Sequence, residues 1–385
     1  MADLVVEVCN IENVIPHPNA DRLYLGIVKG WQTVIAKNED GSPQFQEGEK
    51  VVFIPPNTII PDELTEQLGV KQYLRSRVDI NNNTRLTVRS LRLRGEASFG
   101  LLIKPKDETW EIGRDVAEDY GFMKYEPPVR TSLTKTGFNC ASELAEFPRF
   151  ESAVNFRDYK NLFEDFILNN KMDVIVTEKI HGTNSRIGIV NGVLVAGSNK
   201  FRRKDPTELT AEELEASKQK DPDETNAAYS HSLYWYPHSL VGISNLLQTL
   251  GKEHRSVVLY GEIFGAGIQK FQYGRTGLDY RVFDIMIDNK YLDFKDAIEL
   301  CIKYDIQYVP ILHVGEYSLD KIKELTKGNT TLTDKSNKLT NIREGVVVKP
   351  VKESSHPKIG RLTLKYVSDD YLTNDKIQDN DSTDQ

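Results

Sequence analysis

The sequence predicts an α+β chain in two parts, an all-β module followed by a domain in which antiparallel strands alternate with helices. Three observations predict it. At 385 residues the chain is longer than a single core usually serves. From Leu4 to about Lys106, short apolar-rich runs are separated by turn signals with little helical period. From Asn155 onward, helical and strand periods alternate.

The first part reads as the strands "LVVEVCNI", "LYLGIVKG", "WQTVIAKN", "KVVFIPPNTII", "RLTVRSLRLRG" and "SFGLLIKP". "NEDGS" and "PHPNADR" supply the turn chemistry between them. Five or so strands and few helices in about 110 residues suit a small closed barrel of the OB type. We assign it residues 1–125 and a role in binding nucleic acid. In "RLTVRSLRLRG", Leu86, Val88, Leu91 and Leu93 interleave with Arg85, Arg89, Arg92 and Arg94, with one interruption at Arg89 and Ser90. That pattern predicts a ribbon with one core face and one cationic face. Residues 126–149, rich in Pro, Thr and Gly, read as a connection.

The second domain, residues 150–372, opens with "NFRDYKNLFEDFILNN", whose Phe156, Tyr159, Leu162, Phe163 and Phe166 fall at helical spacing. Strands follow at "MDVIVTEK", "SRIGIVNG", "VLVAGSN", "SVVLYGEIFG", "YRVFDIMIDN", "IREGVVVKP" and "RLTLKYV", with helices at "SNLLQTLGKEH" and "FKDAIELCIKYD". The polar, acidic stretch between Arg203 and Ser239 predicts an inserted helix and mobile loop. The acidic tail 373–385 predicts disorder.

Net charge is −8, which argues against a protein that coats nucleic acid by bulk attraction. The mean conceals a basic block. Between Lys71 and Lys106, nine Lys and Arg residues face only Asp79 and Glu96, the footprint of a polyanion site. Cys9, Cys140 and Cys301 are few, odd in number and far apart, which fits neither a disulfide framework nor a Cys-rich zinc site. No apolar run approaches the roughly 18 residues of a membrane helix, and the N-terminus lacks the pattern of a signal peptide. The expected location is the cytoplasm, with neither a membrane nor an obligate protein partner.

The chemistry centres on Lys179, which ends the apolar strand of "VIVTEKIHGTN". A lysine becomes a covalent nucleophile when desolvation or neighbouring cations leave its amine partly unprotonated. Gly182 lets the backbone approach a ligand closely, and Thr183 and Asn184 offer a hydroxyl and an amide beside it. Taken alone, such a lysine is more often a surface charge at a strand end. Further residues then appear in apolar strands: Glu262 in "LYGEIFG", Phe283 in "YRVFDI", Glu344 and Lys349 in "EGVVVKP", and Lys365 after "RLTL". Converging, the carboxylates would suit a divalent metal and ribose hydroxyls, and the lysines would suit phosphates.

"EKIHGTN", "LYGEIFG", "YRVFDI", "EGVVVKP" and "LTLKYVSDDY" resemble, in order, motifs I, III, IIIa, IV and V of the covalent nucleotidyltransferases, the superfamily of ATP-dependent polynucleotide ligases and capping enzymes. The resemblance spans about Phe147 to Leu372. "KIHGTN" is similar to the RNA ligase 2 branch, and an OB-like module ahead of the transferase domain is similar to the RNA ligase 5 group. "HPNADRLYLGIV" resembles the first strands of tRNA-binding OB domains.

The resemblance implies an ATP-dependent RNA ligase that joins 3′-OH and 5′-phosphate ends in RNA repair, with Mg²⁺ or Mn²⁺. It implies that Lys179 takes AMP from ATP, that Glu178 lies at the adenine with Phe283 stacked on it, and that Ile180 is among the nucleotide-binding residues. Asn184 and Glu262 would hold ribose, Glu344 with Glu262 the metal, and Lys349, Lys365 and Arg202 the phosphates. Arg85, Arg89, Arg92 and Arg94 would meet RNA. Two positions depart from the family pattern. Thr363 stands where the first of two motif V lysines would fall, with Arg361 nearby, and His181 replaces an aspartate, so that it is expected to contact phosphate or the leaving group. A DNA ligase, a GTP-dependent capping enzyme and a degenerate, non-catalytic nucleic-acid-binding scaffold are the alternatives.

Overall fold

The computed structural model describes residues 4–126, 140–210, 233–269, 271, 273–333 and 341–374. The chain divides into two compact units, Met1–Val129 with Leu372–Ser382, and Arg130–Tyr371 with Thr383–Gln385.

In the first unit the turn-punctuated runs form strands as expected, spread over several small antiparallel sheets. One has the order Glu7–Asn10, Lys50–Ile54, Leu101–Ile103, and another Asn13–Pro16, Leu23–Val28, Trp31–Ala36. A four-stranded sheet has the order Met123–Lys124, Thr58–Ile59, Thr84–Val88, Leu74–Val78. Val8, Val52 and Cys9, Val51 show how alternation feeds two cores, one with Ile54, Leu74, Val88 and Trp110, the other with Val28, Trp31, Phe53 and Phe99. The "NEDGS" turn closes through the Asn38 N–H, which donates to the Ser42 carbonyl, with Gly41 at φ +90°.

The expected Arg85–Arg94 ribbon does not form. Its sequence breaks at Arg89 and Ser90 into Thr84–Val88, which joins the four-stranded sheet, and Leu91–Leu93, which forms a hairpin with Glu96–Ser98. Arg85 is paired with Asp79, Arg94 occupies the hairpin turn at φ +51°, and Arg92 bonds Gly95 O and Thr373 Oγ1. His17 and Asn19 of "PHPNADR" fasten this hairpin by bonding the carbonyls of Leu93 and Arg94. The interruption in the hydrophobic period was the visible sign, since a strand cannot change sheets without losing its alternation.

The second unit is built on two sheets. The seven-stranded sheet has the order Cys140–Ala141, Arg202–Arg203, Val193–Ser198, Thr183–Val190, Ser256–Gly265, Leu278–Ile287, Lys290–Tyr291. The five-stranded sheet has the order Val154–Asn155, Leu364–Val367, Gly345–Pro350, Val174–Lys179, Ile311–Gly315. The predicted helices appear as Phe156–Asn169, capped by the Asn155 side chain, Val241–Leu250 and Phe294–Lys303. Helix Leu319–Thr326 was not anticipated. Residues 140–149, read as connection, belong to this unit. Buried Arg186 donates to Glu143 and to the carbonyl of fully buried Phe147, so this segment completes the seven-stranded sheet. The expected insertion falls mostly on residues 211–232, and the tail beyond Asn374 likewise lies outside the described residues.

Candidate functional site

Along Val174–Lys179, Val174 and Val176 point into the core with Phe156, Phe163 and Ile322. Alternation therefore turns Ile175, Thr177 and Lys179 to the other face. Ile175 pairs with Lys349, Lys179 with Gly345, and Val347 with Lys365. Lys179, Lys349 and Lys365 thus share one face of the five-stranded sheet, although 186 residues (365 − 179) separate the outer two.

Lys179 Nζ lies 2.6 Å from Glu344 Oε1, and the lysine side chain is only 15% exposed. His181 follows at the strand end. Its Nδ1 is 2.9 Å from Tyr371 Oη and 3.9 Å from Glu344 Oε2, and its ring stands edge-on to Phe271. The His181 backbone N–H donates to Tyr273 Oη at 2.6 Å. Burial pushes that phenol well above its ordinary pKa, which keeps it available as a neutral hydrogen-bonding group. Gly182 is dictated by contact. A Cβ there would meet Ile263 O at 2.3 Å and Glu262 Cγ at 2.9 Å.

Asn184 pairs directly with Glu262 across the next sheet, and the register row one step along joins Arg202, Gly197, Arg186, Tyr260 and Asp284. Asn184, Arg202 and Glu262 therefore share a face of the seven-stranded sheet. Phe283 is the extra residue where Tyr260 pairs with Asp284 and Gly261 with Val282. Such a bulge re-aims a side chain. The half-buried Phe283 ring stands edge-on to Phe150 at 4.8 Å, and its carbonyl accepts from Tyr308 Oη and Lys349 Nζ.

Lys349 pairs with Asp284, with Nζ 2.5 Å from Oδ1. Arg361 grips the same carboxylate with both terminal nitrogens, at 2.8 and 2.9 Å, and bonds Glu353 on its other side. Burial alone would raise the Asp284 pKa, but Lys349 and Arg361 hold it below the usual carboxylate value. This links the two sheets of the unit through three charged side chains. Thr363 is buried nearby in sequence, and Arg361 is the cation in that region that meets motif IIIa.

Glu178 is not brought to the Lys179 face. It alternates to the opposite side, where its carboxylate accepts from Thr330 Oγ1, from the Thr331 N–H at 2.9 Å and from Thr331 Oγ1 at 2.7 Å, with Arg343 Nε at 3.5 Å. Ile180 is buried. Arg202 sits near the sheet edge, where its Nε donates to Ser142 O. Sequence reasoning missed Asp284, Tyr273, Tyr371, Thr330 and Thr331. Asp284 carried a signal, an acid inside "VFDIMI", whereas the tyrosines and threonines are common residues whose partners lie far away in sequence.

Two observations bear on whether these residues fit a nucleotide and a metal. Asn184 Oδ1 is buried without a hydrogen-bond partner among the described residues. No group of three or more His, Cys, Asp or Glu among the described residues is placed to hold a metal ion.

No curated protein matches the chain. An OB-fold domain model matches residues 5–105, and the first unit is an OB-fold domain. Among solved structures, an apo point variant of Naegleria gruberi RNA ligase is 21% identical with a TM-score of 0.69, covering 97% of this chain and 98% of that one. A variant of the same enzyme with AMP and Mn is 20% identical with a TM-score of 0.70, covering 98% and 99%. The form with PPi is 22% identical with a TM-score of 0.67, covering 98% and 100%. These likenesses establish the fold along nearly the whole chain. The RNA ligase model matches residues 172–367, which include Lys179, Glu262, Phe283, Glu344, Lys349 and Lys365, and this chain belongs to the RNA ligase family.

Proposed function

We propose that the chain is an ATP-dependent RNA ligase in which Lys179 is the covalent AMP acceptor. The observation that carries the reading is the single face of the five-stranded sheet on which Lys179, Lys349 and Lys365 stand together. Glu344, 2.6 Å from the Lys179 amine, must release it before the amine can lose its proton. The amine attacks the α-phosphorus of ATP, a P–N bond forms, the bond to pyrophosphate breaks and the amine proton leaves. The AMP then passes to an RNA 5′-phosphate, and a 3′-OH displaces it to form the phosphodiester.

Lys349, Lys365 and Arg202 neutralise phosphate charge, and His181, fixed by Tyr371, faces phosphate or the leaving group. Phe283 and Ile180 line the nucleotide, Asn184 and Glu262 take the ribose, and Glu178, held by Thr330 and Thr331 on the opposite side of the strand, supports the strand rather than the adenine. A divalent cation, Mg²⁺ or Mn²⁺, supplies charge neutralisation of the triphosphate, and Glu344 with Glu262 would hold it through its waters. The Naegleria gruberi enzyme, solved with ATP and Mn and with AMP and Mn, supports this choice. RNA meets the OB unit at its basic residues, Arg85 among them. No helix among the described residues is long and apolar enough to cross a membrane, and we place the enzyme in the cytoplasm.

The test offers nicked RNA duplexes, nicked DNA duplexes and open single strands to the protein with ATP or GTP. Sealing of RNA with ATP is expected. Sealing of DNA alone, or dependence on GTP, would overturn the reading.

A further inference from the structure

In the four-stranded sheet of the OB unit, the strands Leu74–Val78 and Thr84–Val88 set arginines on the side away from Leu74 and Val88, beside buried Thr87. Leu74 pairs with Val88 in the core, and Ser76 pairs with Leu86, which packs against that core. Arg75 and Arg77 on one strand, and Arg85 on its neighbour, therefore point to the other side. Arg77 stands directly opposite Arg85. Like charges in directly opposed strand positions repel, so this placement is unfavourable for folding by itself.

Both guanidinium groups are nevertheless held in place. Arg77 donates to Asn57 Oδ1 at 2.9 Å and lies over the Tyr125 ring at 5.1 Å from its centroid. Asn57 holds a φ of +66°, and its carbonyl accepts from the Tyr125 N–H. Arg85 donates from Nε to Asp79, which the Asn81 and Asn83 N–H groups fix in turn. Among the described residues, this side of the strand pair carries Arg75, Arg77 and Arg85, with Asp79 bonded to Arg85 and the Tyr125 ring beside Arg77. The same stretch of sequence carries nine basic residues to two acids.

We propose that this face binds the RNA strand, with a backbone phosphate seated between Arg77 and Arg85 and a base stacked on the Arg77–Tyr125 pair. A phosphate between the two arginines turns their mutual repulsion into shared attraction. A planar guanidinium on a phenol ring offers the sequence-tolerant stacking that single-stranded ends need. The proposal rests on the RNA ligase reading and shifts its RNA contact away from the expected ribbon. Arg75, Arg77 and Tyr125 join Arg85 on one surface, whereas Arg92 and Arg94 lie on a separate hairpin.

The test uses the full chain and a fluorescent single-stranded RNA, with binding measured across a salt series. AMP labelling of the protein by ATP is read in parallel as the control for folding and for the ligase reading. Arg77→Ala and Arg85→Ala are each expected to weaken binding and to flatten the log–log salt slope by about 0.7 for each phosphate no longer neutralised. Tyr125→Leu should weaken binding about tenfold and leave the slope unchanged. Arg77→Lys keeps the charge, so it should retain the slope and lose affinity. Unchanged affinity and slope in labelled Arg77→Ala and Arg85→Ala proteins would overturn the proposal while leaving the ligase reading intact. Absence of label in the wild-type protein would overturn the ligase reading instead. If an alanine variant loses both label and its thermal transition, Arg77→Lys decides: retained affinity would overturn the stacking role.

Discussion

Lys179 Nζ and Glu344 Oε1 lie 2.6 Å apart, joining the end of one strand to the residue that opens its neighbour. In this arrangement the carboxylate holds the amine that is to act as nucleophile. Glu344→Gln keeps a hydrogen-bonding group of the same size and removes the charge. We expect it to lower AMP transfer to the protein by about 10- to 100-fold, as loss of an outer-shell carboxylate does. Labelling rates with ATP would measure this, and full activity in the glutamine variant would make Glu344 a structural partner alone.

Asp284 should govern stability with a definite pH dependence. Its carboxyl lies below its ordinary value of 3.8 in the folded chain despite burial, because Lys349 and Arg361 both face it. Its contribution is therefore complete at neutral pH and is lost as pH falls below the ordinary value through the folded one. Asp284→Asn leaves two buried cations short of a counter-charge and is expected to cost about 3–5 kcal/mol at pH 7. Urea unfolding of both proteins should show that gap narrowing below pH 3.8. A gap independent of pH would exclude the ionic origin.

Gly182→Ala is expected to destabilise the chain by about 1–3 kcal/mol, since the added methyl must displace the Ile263 carbonyl rather than a flexible side chain. The same displacement moves Glu262, whose Cγ is the next atom met. Thermal unfolding and AMP labelling should both fall. A stable, fully labelled variant would show that the close approach is not required.

Tyr371→Phe removes the hydroxyl at His181 Nδ1 and keeps the ring packing. The expected stability loss is about 0.5–1.5 kcal/mol, the net worth of one hydrogen bond. If orientation of His181 matters to the chemistry, sealing should fall by more than stability does at temperatures where both proteins are folded. Equal sealing would leave Tyr371 a packing residue.

The strands around Lys179, Glu262 and Glu344 were legible because polar residues interrupt apolar runs, and interruption is a local signal. Their shared faces were not, since pairing Ile175 with Lys349 requires a register that sequence spacing does not contain. Glu178 shows the limit. Adjacent to Lys179 in sequence, it points to the opposite side because strand alternation separates neighbours. The arginine ribbon failed for a reason already visible at Arg89 and Ser90. Arg361 was noticed only as a neighbour of Thr363, and its bond to Asp284, 77 residues earlier (361 − 284), came from sheet packing.

The most direct measurement is to incubate the protein with ATP and Mn²⁺, digest it after denaturation, and locate AMP by mass spectrometry of the peptides. One AMP is expected on the peptide containing Lys179, absent from Lys179→Arg. AMP on another residue, or an equal yield from Lys179→Arg, would contradict it.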